Sequence, residues 1–155
     1  MTVFNIGSIN IDHVYEVDHF VRPGETMSST RYQQLLGGKG SNQSVALAKA
    51  QADVKHVGAI HQSDQSILDQ IQGYGVDTDQ IALVEEVSGH ALIQLTPSGE
   101  NCIILHPGAN HALTEAQIKQ ALSQVSEGDW VLLQNETNLV SNALKWAKEA
   151  GAKVA

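Results

Sequence analysis

Two groups of residues in this sequence have types and spacings that could do chemistry. The first is Gly37-Gly38-Lys39-Gly40-Ser41-Asn42, three glycines and a lysine just ahead of a helical pattern. Glycine lets a ligand approach the backbone closely, and the start of a helix offers N–H donors. Two nucleotide-binding loops can be tested against it. A Walker A loop requires Gly five residues before Gly38 and Ser or Thr after Lys39, but Gln33 and Gly40 stand there. The dinucleotide pattern opened by Gly38-x-Gly40 requires a third glycine where Gln43 stands. Neither nucleotide loop is present, and alone the segment is equally an ordinary tight turn. The second group is Asn10-x-Asp12. These two residues alternate with Ile9 and Ile11, so both point to the face opposite the isoleucines. The seven histidines show no metal-ligand spacing: His106 and His111 flank a Pro-Gly turn, so no metal site is expected.

Strands and helices must hold these residues. Residues 3–6 predict a short strand, and residues 9–17 a second extended piece that ends at the turn Arg22-Pro23-Gly24. Residues 29–36 lead as a further strand into the glycine loop. A helix over 41–50 follows, with Val45, Ala48 and Leu47 or Ala52 expected on its buried side. Residues 54–60 and 81–84 read as strands around a helix over 66–72. Ala91, Ile93 and Leu95 alternate, Pro97-Ser98-Gly99 turns, and residues 101–105 return, which is a hairpin. Thr114-x-x-Gln117 has the form of a capping box opening a helix to about residue 125. Residues 130–134 read as strand and 141–150 as helix, and a further strand begins after Gly151.

Repeated strand-helix units imply a parallel sheet flanked by helices, an α/β fold. The hairpin has no place in it and is expected in a small antiparallel sheet with the 9–17 and 29–36 strands. The short stretch at 152–155 reads as a strand cut in mid-fold, so residues 1–155 are expected to form a single incomplete domain with lid strands at about 9–17, 29–36 and 90–105.

Composition limits the functions available. Nine Lys plus Arg against seventeen Asp plus Glu give a net charge of −8, which opposes binding to a phosphate backbone. Apolar residues make up 42%, enough for a globular core. Apolar runs extend to only four residues, against the roughly 20 of a membrane helix, so no membrane partner is expected. The N-terminus lacks the basic and apolar regions of a signal peptide, and the single Cys102 has no disulfide partner; both suit a cytoplasmic protein. Cys102 itself reads as a small apolar strand residue.

The string Gly37-Gly-Lys-Gly-Ser-Asn-Gln-Ser-Val-Ala-Leu-Ala48 resembles the first signature of the ribokinase (PfkB-type) sugar kinases. Asn10-x-Asp12, Pro23-Gly24-Glu25-Thr26, Val57-Gly58, Gly99-Glu100-Asn101 and Pro107-Gly108-Ala109-Asn110 fall in ribokinase-like order, and Gln134-Asn135-Glu136 sits where that family carries a sugar-binding glutamate. The likeness spans the chain but corresponds to the N-terminal half of a ribokinase.

The resemblance implies roles. Asn10 and Asp12 would bind sugar hydroxyls, Gly38, Lys39 and Asn42 would wrap the sugar, and Glu136 would close the opposite side. A neutral polyol offers many hydroxyls, and carboxylates and amides supply the acceptors and donors they need. The complete enzyme would transfer a phosphoryl group from ATP with Mg2+, and K+ as a further cofactor, to ribose or a related sugar, and would pair as a homodimer through the lid. Two departures stand out. After Gly58 the family's glycine- and aspartate-rich stretch is replaced by Ala59-Ile-His61-Gln-Ser-Asp64, and neither the second signature Asp-Thr-x-Gly-Ala-Gly-Asp nor the Asn-x-x-Glu motif occurs in these 155 residues. By the resemblance these carry the catalytic base and the magnesium and phosphate contacts, so no catalytic or cofactor-binding residue is expected in this chain. Plain structural readings remain beside the implied roles: Asn10 and Asp12 as solvated residues of an open sheet face, Lys39 as a surface lysine, and Glu136 as a helix N-terminal charge. A non-catalytic sugar-binding or dimerisation module is the alternative function.

Overall fold

Side chains alternate across β1 (Thr2–Ile6), and the two faces meet different partners. The computed structural model describes all of residues 1–155. Phe4 and Ile6 enter one core with Val57 and Ala59 of β4 (Asp53–His61), Ile118, Ala121 and Leu122 of α3 (Glu115–Leu122), and Ala143 and Ala147 of α4 (Val140–Glu149). Val3, on the other face, joins Val54 and Ile60 of β4 and Ile67, Leu68 and Ile71 of α2 (Gln65–Gly73). Helices therefore cover both faces of one sheet. Its order is β5 (Asp77–Val84), β4, β1, β8 (Trp130–Leu133), β9 (Lys153–Val154), and every pairing is parallel. Apolar residues on both strand faces are what such a doubly covered sheet demands.

A second sheet stands off the first, with order β3 (Arg31–Gly37), β2 (Asn10–Glu16), β6 (Gly89–Leu95), β7 (Asn101–His106). The expected hairpin is there, as β6 and β7. The sheet is mixed, however, and not antiparallel. β2 and β6 run parallel from Asn10 opposite Gly89 to Glu16 opposite Leu95, because both leave the main body at the same end and run outward. Cys102 lies in β7, as expected of a strand residue, but exposed.

Three local expectations change. β5 begins at Asp77, earlier than the apolar stretch suggested, because its first residues are polar. Thr114 caps α3 by accepting from the Gln117 amide at 3.2 Å, but the Gln117 side chain does not reciprocate. It donates to the carbonyls of Gly58 (2.7 Å) and Gln80 (3.0 Å), tying α3 to the sheet. The most buried side of α1 (Lys39–Lys49) is not Val45 and Ala48, which are half-buried, but Gly40, Ser41 and Ser44.

That last difference has a cause in the sheet. Asn5 of β1 and His56 of β4 are register partners, and both are fully buried. They face α1, where Asn5 Nδ2 donates to Ser44 Oγ at 2.8 Å and Ser44 Oγ lies 2.8 Å from His56 Nδ1. His56 Nε2 lies 3.1 Å from the Gly7 carbonyl. A carbonyl only accepts, so Nε2 carries the proton and Nδ1 accepts from Ser44. The network is complete only with a neutral imidazole. Burial, opposed by the bond to Gly7, holds the His56 pKa down to about 4. Between about pH 6.5 and 4 the unfolded chain therefore binds a proton that the folded chain refuses, and stability falls as pH falls. Urea unfolding at stepped pH is expected to lose about 1.4 kcal/mol per pH unit below pH 6.5. His56→Gln should remove that slope above pH 5, and an unchanged slope would assign it to another group.

Candidate functional site

The site forms where the end of β1 meets the start of α1. Gly38 precedes α1 with φ +95°, a conformation that side-chain-bearing residues rarely adopt. Its carbonyl accepts from the Asn42 amide at 3.0 Å. The Ser41 amide donates to the Ser8 carbonyl at 2.9 Å, and Asn5 Nδ2 donates to the Gly40 carbonyl at 2.8 Å. Backbone meets backbone here: a Cβ on Gly40 would lie 2.5 Å from both the Gly7 carbonyl carbon and the Ser8 nitrogen.

Glu136, on the loop between β8 and α4, reaches across to this junction. Its Oε2 accepts from the Ser8 hydroxyl at 2.7 Å and from the Lys39 amide at 3.2 Å, and its Oε1 forms an ion pair with Lys39 Nζ. α1 has no acidic residue in its own first turn, so Glu136 supplies the negative charge that a helix N-terminus favours. Burial alone would raise the Glu136 carboxyl; the bonds from the Lys39 side chain, Ser8 and the Lys39 amide outweigh it and hold it below its ordinary value.

Asn10 and Asp12 approach from the small sheet. Asn10 is only 5% exposed, and its Oδ1 accepts from Asn110 Nδ2 at 2.8 Å, so it is no solvated surface residue. Asn110 also accepts from the Ile9 amide (2.8 Å) and donates to the Ile9 carbonyl (3.1 Å), pinning the start of β2 to the turn after β7. The Asp12 carboxylate lies against Gly37, in the space a side chain there would occupy. Half-buried, it accepts no hydrogen bond from the protein. Burial pushes its carboxyl up; His13 opposes this and Glu136 adds to it, which places the two carboxylates within electrostatic reach. Asn42 is exposed on α1, one turn beyond Gly38, and its side chain makes no bond to the others.

ATP and Mg2+ do not fit this junction. The amides of Lys39, Gly40, Ser41 and Asn42 are already bonded to Glu136, the Ser8 hydroxyl, the Ser8 carbonyl and the Gly38 carbonyl. They leave no ring of free donors for phosphates, and the carboxylate at the helix start repels them. No group of three His, Cys, Asp or Glu side chains is placed to hold a metal ion.

Residues 2–154 match the family model for pfkB family carbohydrate kinases. The chain belongs to that family. It is 40% identical over 158 residues to a ribokinase of Haemophilus influenzae, covering 99% of this chain and 52% of that protein. The ribokinase structure from Thermotoga maritima is 33% identical with a TM-score of 0.84, covering 99% of this chain and 50% of that one. The Arabidopsis thaliana ribokinase, solved in complex with ribose and ATP, is 32% identical with a TM-score of 0.79, over 99% and 51%. The chain spans about half the length of the relatives it matches. No helix in it is long and apolar enough to cross a membrane.

Within this pfkB-family frame, the structure gathers Gly38, Lys39 and Glu136 at one junction, brings Asp12 beside it, and leaves Asn42 at its margin. Sequence reasoning gave no role to Ser8, Asn110, Asn5 or Gln134, whose Nε2 donates to Asn5 Oδ1 at 2.7 Å and Gln43 Oε1 at 2.6 Å. Asn5 carried a signal: an amide inside an otherwise apolar buried strand needs a partner. The others act between segments far apart in the chain, Ser8 on Gly40 and Glu136, which local patterning does not register. Gly40→Ala is expected to destabilise the chain by about 1–3 kcal/mol, because the methyl meets the backbone of Gly7 and Ser8. Equilibrium unfolding measures this, and an unchanged midpoint would show that α1 retreats freely.

Proposed function

We propose that residues 1–155 form the sugar-binding part and lid of a ribokinase-type kinase, a portion of one domain. Asp12 carries the reading: a half-buried carboxylate with both oxygens free of protein partners, lying against Gly37 of the glycine junction. Two carboxylates, the Lys39 ammonium and the Asn10 and Asn42 amides are the donors and acceptors that a ribose-like polyol needs. Glu136 takes sugar hydroxyls in place of part of its pairing with Lys39. In the complete enzyme the sugar's terminal hydroxyl would receive the phosphoryl group of ATP, with Mg2+ and K+ as cofactors, in the cytoplasm. The contribution of these residues is to bind and orient the acceptor, which removes much of the entropic barrier to a two-substrate reaction. The Arabidopsis relative, which holds ribose and ATP in its crystal structure, supports this reading.

Asp12→Ala is expected to weaken ribose binding about 30–150-fold, the equivalent of about 2–3 kcal/mol for a charged acceptor. Glu149→Ala, on the exposed end of α4, should leave it unchanged. Equal calorimetric affinities for the two variants would overturn the assignment.

We also propose a homodimer through the lid. Leu35 and Ala91 are the register partners of Asp12, Leu105 pairs with Ala91, and Ile103 pairs with Ile93, so these residues share the face that carries Asp12. Leu35, Ile103 and Leu105 are each about half exposed, an unusual amount of apolar surface for a monomer. Sedimentation is expected to show a dimer that Ile103→Glu dissociates; a wild-type chain that stays monomeric at high concentration would refute it.

A further inference from the structure

Ser8 makes contacts that reach beyond packing. It is 1% exposed, at the end of β1, and its hydroxyl acts in both directions. Oγ donates to Glu136 Oε2 at 2.7 Å and accepts from the Gly40 amide at 3.2 Å. Its own carbonyl receives the Ser41 amide at 2.9 Å. One residue thus joins the central strand, the first turn of α1 and the loop that carries Glu136. Three groups hold the Glu136 carboxylate, and they differ in kind. The Lys39 ammonium is 70% exposed on a long flexible stem, so its hold is screened and mobile. The Lys39 amide bond is long. The Ser8 bond, at 2.7 Å, is short and charge-assisted, and comes from a side chain with a single rotatable bond to its hydroxyl, to which the Gly40 amide donates from behind at 3.2 Å.

We propose that Ser8 is the positioning residue for Glu136: its hydroxyl, oriented by the Gly40 amide, fixes the carboxylate for the sugar and keeps it ionised when Lys39 moves aside. The sugar part of this statement rests on the function proposed above. Glu136 is bonded by the Lys39 ammonium and amide from α1 and by Ser8 just past β1, and its charge acts on the Asp12 carboxylate of the small sheet, which His13 also influences. Lys39 favours the ionised form of Glu136, and the mutual repulsion with Asp12 opposes it. Removing the Ser8 donor leaves that balance less favourable, so the Glu136 carboxyl must titrate at higher pH and bind sugar less well.

The test uses the chain with its Glu side-chain carboxyls labelled with carbon-13. Glu136→Gln identifies the Glu136 signal, and its titration is followed in wild type and Ser8→Ala. The midpoint is expected to rise by about 0.5–1 pH unit in Ser8→Ala, the scale of one lost hydrogen bond to a carboxylate. Ribose binding at pH 7 should weaken about five- to twentyfold, with the acid limb of its pH dependence displaced in the same direction. Ser8→Cys, close in size and a poor donor, should move the titration the same way and stands in if the alanine variant does not fold. Ser8→Thr, which restores a hydroxyl, should return the midpoint toward wild type. An unmoved Glu136 midpoint in the folded Ala and Cys variants would reduce Ser8 to a packing residue. The carboxyl titration is read without sugar, so a wild-type chain that fails to bind ribose would refute the sugar site while leaving the Ser8–Glu136 link to be decided by its own signal.

Discussion

The contact between Gly7 and Gly40 constrains everything around it. Two backbone segments, the end of the central strand and the first turn of a helix, approach more closely than any side chain at Gly40 would permit. At that separation the helix amides lie within reach of Ser8, so Ser8 and Glu136 satisfy donors that a helix start normally leaves to solvent or a ligand. The contact also explains the polar row beneath it. Ser44 comes so near the sheet that only a hydrogen-bonded neighbour suits it, and Asn5 and His56 supply one from adjacent strands. A larger apolar residue at any of these places would force α1 outward and dissolve the junction. Burying Asn5, Ser44 and His56 together is tolerable because each has partners, whereas removing one leaves the others unsatisfied inside the protein.

The junction then sorts two carboxylates into different states. Glu136 and Asp12 are both partly buried, and burial raises both. Glu136 meets a cation, a hydroxyl and an amide, and ends below its ordinary value. Asp12 meets no donor and ends above it. Hydrogen bonding separates them: Glu136 has three donors and Asp12 has none. An acceptor without donors in the free protein is the group with most to gain from a hydroxyl-bearing ligand, which is why Asp12 and not the better-bonded Glu136 is the more informative position to mutate.

The layers of the main sheet were legible because β1, β4, β5 and β8 each carry an apolar stretch and α2, α3 and α4 each bury an apolar stripe. The parallel pairing of β2 with β6 was not. Alternation reports which way a side chain points but not which strand lies beside it, and a hairpin suggests antiparallel neighbours. The direction is set by the shared exit from the body at Asn10 and Gly89. In the same way the glycines of the loop were visible, while the segment that makes them necessary, from Gly7 to Asp12, lies well back along the chain. Gln117 shows the limit of a local motif. The capping pattern correctly places the helix start, yet the glutamine side chain goes to the carbonyls of Gly58 and Gln80 because a buried acceptor there outcompetes an exposed amide.

Asp12 and Glu136 belong to different bodies of the molecule. Asp12 rides on the small sheet, joined to the main body at the foot of β2 and β6, where Asn110 clamps Ile9 and Asn10. Glu136 is fixed to the main body through Ser8 and α1. Under the proposed function a sugar bonded to both carboxylates spans the two bodies, so part of its binding energy acts on the angle of the small sheet. The Asn110 bonds to Ile9 and Asn10 fix the foot of β2, two residues before Asp12, so the position of that carboxylate is set by where the small sheet joins the body.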